Sequence, residues 1–507
     1  MPQDIPGFYY DPEKNRYFTI KSPMPGSAPS SSYAPKKAVS KPTKVTKSCR
    51  RIWLKTSKLL QFRELHGNSI ASNKGNCNFE EEFQKSQASC PLVWKYSGTQ
   101  KIPYGALEQI HMGVQTPEGQ TQTDVLLTGG RNNSLSFFEV GKVGQSFDYG
   151  TQCIPDLAWP IIKGNRKECS KFPRNICRPA RGSLLMSSNI SSIKLFRKNH
   201  PCATDDGSNI PHALISTLGS ESHGGSLCVL NLVEPLDFYS TRIQEVGMFN
   251  CTIWTADCGF NENRAVIGTS RGAALVDLGT GWAFWMLHSK SDVLAQQLVH
   301  SGNVVLCGLR NGAIVTVDVR QRPESVSDRV VRPRTHQLPL DNTAGKSTQR
   351  WFKLSGNICR SQTVFLPSSI SCLASLMFDD QYFLASSMDG SQVKLYDLRL
   401  VQRGSIQSYE GHVNSHTRIQ IGVDPSEKFL MSGGEDCNLR LWSIKSGELL
   451  FEDKFSSSVP STVCWRRAER LMVLPDEGQS FQEYFQPESY ESGAWLGSQE
   501  GLFYMQW

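Results

Sequence analysis

The chain has 507 residues, 39% of them hydrophobic and 20% charged, a globular composition too long for one ordinary compact core. No apolar run approaches the ~18 residues of a membrane-spanning helix, and the opening Met1-Pro2-Gln3-Asp4 has neither the basic start nor the apolar stretch of a secretion signal. The formal charge of +7 sits in a tail: residues 1–60 hold 12 Lys and Arg against 3 Asp and Glu, which leaves 54 − 12 = 42 basic and 47 − 3 = 44 acidic residues elsewhere, so a generally basic nucleic-acid surface is not supported. The 15 cysteines are odd in number, scattered and free of any C-x-x-C pair, which points to buried thiols in a reducing compartment, nucleus or cytoplasm.

Residues 1–20 read as an aromatic hairpin, with Phe8-Tyr9-Tyr10 and Arg16-Tyr17-Phe18 around a turn rich in Asp, Pro and Asn. Either a partner-binding role or packing on the main domain would use those rings. Residues 21–66 form a basic linker ending in a short helix. Its Pro/Ser/Lys-rich start lacks the apolar content that offsets ordering entropy. Ile52, Leu59 and Phe62 fall on one face of the helix, with Leu65 beside them. The pairs Lys36-Lys37 and Arg50-Arg51 have the form of a split nuclear import signal. Residues 67–89 read as polar loop.

From residue 90 to 507 the period changes. An apolar strand ending in small residues, an acidic turn and an alternating strand recur at Val125–Phe138, Leu214–Leu230, Ala265–Asp277, Val304–Asp318, Tyr382–Asp397, Phe429–Ser443 and Ala494–Tyr504. Asp277 to Asp318 is 41 residues and Asp397 to Ser443 is 46, the period of a β-propeller blade, so an all-β propeller of seven blades is expected. Between Asp318 and Asp397 the segment at about 321–353 is rich in Arg, Pro, Ser and Gln and reads as an inserted loop.

No catalytic constellation can be assembled, and no cofactor or metal is expected. His412 and His416 lack a Cys or carboxylate at ligand spacing, and Ala344-Gly345-Lys346-Ser347-Thr348 has Leu340 where a phosphate loop requires its first glycine. Val317-Asp318-Val319-Arg320 and Tyr396-Asp397-Leu398-Arg399 are the two D-x-R sequences of the chain, and both end the third strand of a blade. Alternation along the strand points Asp and Arg the same way, so each Arg can offer a planar donor fork at one rim.

His412, Ser432, Asp436 and Trp442 resemble the structural tetrad of WD repeats, with Ser443 where that family usually has Asp. In WD repeats the tetrad is a buried network in which Asp accepts from His and a His–Ser–Trp chain surrounds the aromatic. With paired D-x-R ends the chain resembles the WD-repeat substrate receptors of cullin-4 RING ubiquitin ligases, in particular the cullin-4 associated factor four type. Pro6–Lys14, Ser291–Gln297 and Tyr409–Asn414 carry that finer resemblance. It implies a substrate-recognition subunit without catalysis of its own. Asp318, Arg320, Asp397 and Arg399 would touch the adaptor, damage-specific DNA-binding protein 1, and through it cullin-4. It also allows the helix with Ile52, Leu59 and Phe62 to enter the adaptor, against a plain surface helix. The substrate is unnamed, and direct nucleic-acid or membrane binding is not expected. The alternative is a non-ligase WD-repeat scaffold of a nuclear complex in chromatin or RNA processing.

Overall fold

In the computed structural model the described residues are a hairpin within 8–19 and most of 56–507. The main stretches outside the described residues are 20–55, 143–152, 161–172, 199–209, 233–242, 332–350 and 467–492. The hairpin pairs Phe8–Asp11 with Arg16–Thr19 antiparallel, Tyr9 opposite Phe18, and forms a unit of its own. Ile52 and the basic pairs lie outside the described residues.

In the second unit, apolar runs such as Phe429-Leu430-Met431 cannot show one face to water, because successive side chains leave a strand on opposite sides. Leu430 and Trp442 pack backward onto Leu384 and Tyr409, while Phe429, Met431 and Leu441 pack forward onto Val463, Leu496 and Phe503. Each of the seven larger sheets is sandwiched in this way. Seven core clusters each join two neighbouring sheets, and the last joins the seventh to the first. The architecture is a seven-bladed β-propeller, as the repeat predicts.

Blades 1 to 6 take their strands in chain order from the centre outward. Blade 1 runs Leu107–Thr116, Gly119–Gly129, Ser134–Lys142, Asn175–Leu185, and blade 2 runs Ile190–Lys198, Ile210–Thr217, Ser226–Asn231, Ile243–Met248. Blade 3 holds Ile253–Cys258, Arg264–Thr269, Gly272–Asp277, Ala283–Ser289; blade 4 holds Val293–Val299, Val304–Leu309, Ala313–Asp318, Val364–Phe365. Blade 5 is Ile370–Ser375, Tyr382–Ser387, Gln392–Asp397, Gln407–Glu410, and blade 6 is Ile421–Val423, Phe429–Gly433, Asn438–Ser443, Leu449–Lys454. Blade 7 combines Thr462–Trp465, Gly493–Ser498 and Gly501–Gln506 with Leu92–Tyr96 from the start of the domain. The small residues that end second strands let blades nest: a Cβ at Gly308 would lie 2.5 Å from Cγ2 of Ile370 in the next blade.

Two segments read as loop contain regular structure. Within 67–89, Ser69–Ser72 pairs with Gly75–Asn78 and leads into helix α2, Phe79–Ala88. Asn78 caps it by accepting from the Glu80 N–H at 3.2 Å, and Glu80, Glu81 and Glu82 in the first turn suit the helix dipole. Around the insertion, Ser327–Val331 pairs with Trp351–Gly356, which in turn extends the outer edge of blade 3. Edge strands have unused backbone donors and acceptors, and this addition satisfies one such edge. Pro155–Trp159 does the same for Leu92–Tyr96.

Tyr96 couples the closing strand to two blades. Its hydroxyl donates to the Asn175 carbonyl at 2.9 Å and its ring packs 5.2 Å from Trp495. We expect Tyr96→Phe to cost about 1 kcal/mol and Tyr96→Ala about 3–5 kcal/mol in urea unfolding. A Tyr96→Ala protein as stable as wild type would show that the ring does not depend on this strand.

Candidate functional site

The third strands of blades 3 to 6 end at equivalent places: Asp277, Asp318, Asp397 and Ser443 pair with the first residues of the second strands, Arg264, Val304, Tyr382 and Phe429. One rim of the propeller is built there. In blade 3, Asp277 caps its own turn, accepting from the Gly279 and Thr280 N–H groups, both at 2.9 Å. In blades 4 and 5 the residue two positions on is an arginine, and its side chain folds back.

Arg320 donates through Nε to Asp318 Oδ1 at 3.1 Å and through Nη2 to Oδ2 at 2.9 Å, while its backbone N–H reaches Oδ1 at 2.9 Å. Arg399 repeats this on Asp397 at 2.9, 2.8 and 2.8 Å. The sequence suggests a fork offered whole to a partner. Instead, one edge of each guanidinium is taken by its own aspartate, and the edge facing outward keeps three N–H groups. The aspartates are buried, whereas the arginine side chains are 67% and 57% exposed. Arg399 also lies 5.9 Å over the Tyr382 ring. Hydrogen bonds from the arginines hold both carboxyls below their ordinary range and raise the arginines further.

Turns between first and second strands emerge at the same rim. In blade 5 that turn exposes Met377 by 76% and Phe378 by 78%. Glu427, from the equivalent turn of blade 6, accepts from both backbone N–H groups, the Phe378 bond being 3.1 Å. Trp282, just past the Asp277 turn of blade 3, is 81% exposed. Large apolar surface beside fixed arginines is the composition of interface hot spots. Met377, Phe378 and Trp282 went unnoticed in the sequence because nothing local separates an exposed aromatic from a buried one.

Helix α2 lies at the blade 6 part of this rim, where Lys445 meets Glu81 at 2.8 Å and Lys428 donates to Gln84 at 2.8 Å. Helix α1, at 56–65, packs on α2. Leu59 is buried against Phe79, and Arg63 lies 5.0 Å over that ring. The face expected of α1 is therefore divided: Leu59 turns inward, while Phe62 is exposed together with Leu60 and Leu65.

The expected tetrad is only partly assembled. His412, Ser432 and Trp442 are buried in blade 6, but Trp442 Nε1 donates to the Glu410 carbonyl at 3.0 Å, and Ser432 Oγ donates to the Gly433 carbonyl at 3.1 Å. Asp436 is held by Arg440 Nη1 at 3.1 Å and by Asn438. A buried guanidinium two residues before Trp442 is the stronger donor, and Asp436 serves it. Among the described residues no cluster that could hold a metal ion occurs.

This chain is a WD-repeat β-propeller. Within that class, residues 348–463 match the model of the DDB1- and CUL4-associated factor 4 beta-propeller domain, a span that includes Asp397 and Arg399 but not Asp318 and Arg320. The chain is 26% identical over 455 residues to human DDB1- and CUL4-associated factor 4, covering 88% of this chain and 78% of that protein. It is 22% identical over 469 residues to WD repeat-containing protein 21 of Schizosaccharomyces pombe, covering 87% and 88%. Human DDB1- and CUL4-associated factor 4-like protein 2 is 30% identical over 162 residues, 32% of each chain. The chain thus resembles the cullin-4-associated WD-repeat receptors of the factor-four type.

The depressed carboxyls give the forks a definite pH dependence. A group with a lowered folded-state value stabilises above its ordinary value, 3.8 for Asp, and that contribution is lost as pH falls through the folded value. The melting-temperature gap between wild type and Asp397→Asn should be full at neutral pH and shrink below pH about 4. A gap that does not change with pH would rule out the charged fork.

Proposed function

We propose that this protein is the substrate-recognition subunit of a cullin-4 RING ubiquitin ligase. It docks on the adaptor DDB1 through the D-x-R rim and presents a protein for modification by other subunits, in the nucleus or cytoplasm. The observation that carries this reading is the pair of fixed, outward-facing arginines in adjacent blades with Met377, Phe378 and Trp282 on the same rim. The names of the two human relatives, which couple them to DDB1 and CUL4, support it.

The geometry suits docking. Each arginine is already ordered by its aspartate, so binding loses little side-chain entropy, and its outer edge still accepts two bonds from a carboxylate or from carbonyls. Exposed Met and Phe on a turn braced by Glu427 supply apolar area that needs no rearrangement. The exposed side of α1, with Leu60, Phe62 and Leu65, extends the same surface. No step requires a catalytic group in this chain.

Co-purification of DDB1 with Arg320→Ala plus Arg399→Ala, and separately with Met377→Ala plus Phe378→Ala, tests the proposal. Each pair should weaken association by about tenfold or more, since central anchors of this type are worth about 2 kcal/mol. Undiminished association of both folded double variants would sink it.

A further inference from the structure

The opposite rim carries different chemistry around the central channel. Arg418 precedes the first strand of blade 6, and its Nη1 donates to the backbone carbonyl of Trp254 in the first strand of blade 3. Those blades stand three steps apart in a ring of seven, so the guanidinium crosses the channel mouth. From the turn between the second and third strands of blade 4, Arg310 places its guanidinium 5.5 Å over the Trp254 ring while Nη2 meets Asp292 at 2.7 Å. The mouth is thus an aromatic ring flanked by two cations from different blades.

The deeper charges are matched, as Arg310 is by Asp292, and Arg418 is not. Lys194 of blade 2 faces Glu108 of blade 1 and Asp257 of blade 3, and Asp257 also accepts from the Leu298 N–H at 2.7 Å. Arg418 has no such carboxylate: among the described residues its side chain makes one hydrogen bond, to the neutral Trp254 carbonyl. Burial draws it down to about 10, which leaves it cationic at neutral pH. The buried Trp254 Nε1 also has no partner among the described residues. A cation withdrawn from water without a counter-ion is costly, and an anion arriving at the mouth removes that cost.

We infer that this channel mouth binds the carboxylate of an acidic peptide. Arg418 takes the carboxylate on its remaining N–H groups, and Arg310 with the Trp254 ring flanks the peptide chain. A planar guanidinium matches a carboxylate in two bonds, and an aromatic face beside it gives the peptide backbone apolar contact. The rim is the one away from Arg320 and Arg399, so peptide and adaptor can be held together. The inference rests on the receptor reading for what becomes of the peptide, not for its binding.

Fluorescence anisotropy on the full chain with three peptides of equal length tests it. One is Glu-rich with an amidated C-terminus, one is Gly/Ser-rich with a free C-terminal carboxylate, and one is Gly/Ser-rich and amidated. At least one charged peptide should bind about tenfold tighter than the amidated neutral one, and which of the two does so tells a side-chain from a C-terminal carboxylate. Arg418→Gln should abolish the preference, and Arg310→Gln should reduce it. Because Arg310 is half exposed, its variant tests the site even if Arg418→Gln fails to fold. Equal binding of all three peptides, no binding of either charged peptide, or a preference kept in a folded Arg310→Gln protein overturns the inference. Adaptor association should be unchanged in both variants. A wild-type protein that keeps its peptide preference but captures no adaptor would overturn the docking proposal alone.

Discussion

Burial of both faces of every blade governs the rest of this structure. A sheet apolar on one side can stand against water, but Leu430 and Trp442 face one neighbour while Met431 and Leu441 face the other. Such a sheet needs a partner on each side, and a row of them has no satisfactory end. Closing the row into a ring is the solution, and it forces the first strand of the domain, Leu92–Tyr96, to complete the last blade. The chain termini of the propeller are thereby tied together.

Closure also explains where function can reside. With both faces of the sheets consumed, side chains are released mainly at the two rims and in the channel. Each rim collects equivalent turns from successive blades, so a residue type repeated at one blade position becomes a patch. That is how Asp318–Arg320 and Asp397–Arg399, 79 residues apart in sequence, come to stand in neighbouring blades. The insertion between them does not disturb this, since its strands Ser327–Val331 and Trp351–Gly356 join the outer edge of blade 3.

The seven strand pairs were legible because two-sided burial leaves continuous apolar runs, and small residues such as Gly308 mark where the next blade approaches. Helix α2 was legible in principle, from Asn78 before three glutamates, but its sparse apolar residues hid it in polar sequence. The edge strands at Pro155–Trp159 and Ser327–Val331 owe their state to an existing edge and not to their own pattern. The tetrad shows another limit: sequence gave residue types at family spacing, but Arg440 beside Asp436 redirects the hydrogen bonds. Arg418 was invisible for a related reason, as its reach from blade 6 to blade 3 exists only once the ring is closed.

The two rims use arginine in opposite ways. At the D-x-R rim each guanidinium has a carboxylate of its own, so its charge is balanced and its orientation fixed before any partner arrives. Such a group contributes geometry and specificity more than raw attraction. At the channel mouth Arg418 is unbalanced, so a carboxylate there supplies the missing charge as well as the hydrogen bonds. A balanced surface favours a constant partner of matching shape, because nothing is left unsatisfied when that partner is absent. An unbalanced cation favours a ligand that comes and goes, because occupancy itself changes its energy. On this chemistry the first rim suits a standing assembly contact and the second suits transient capture.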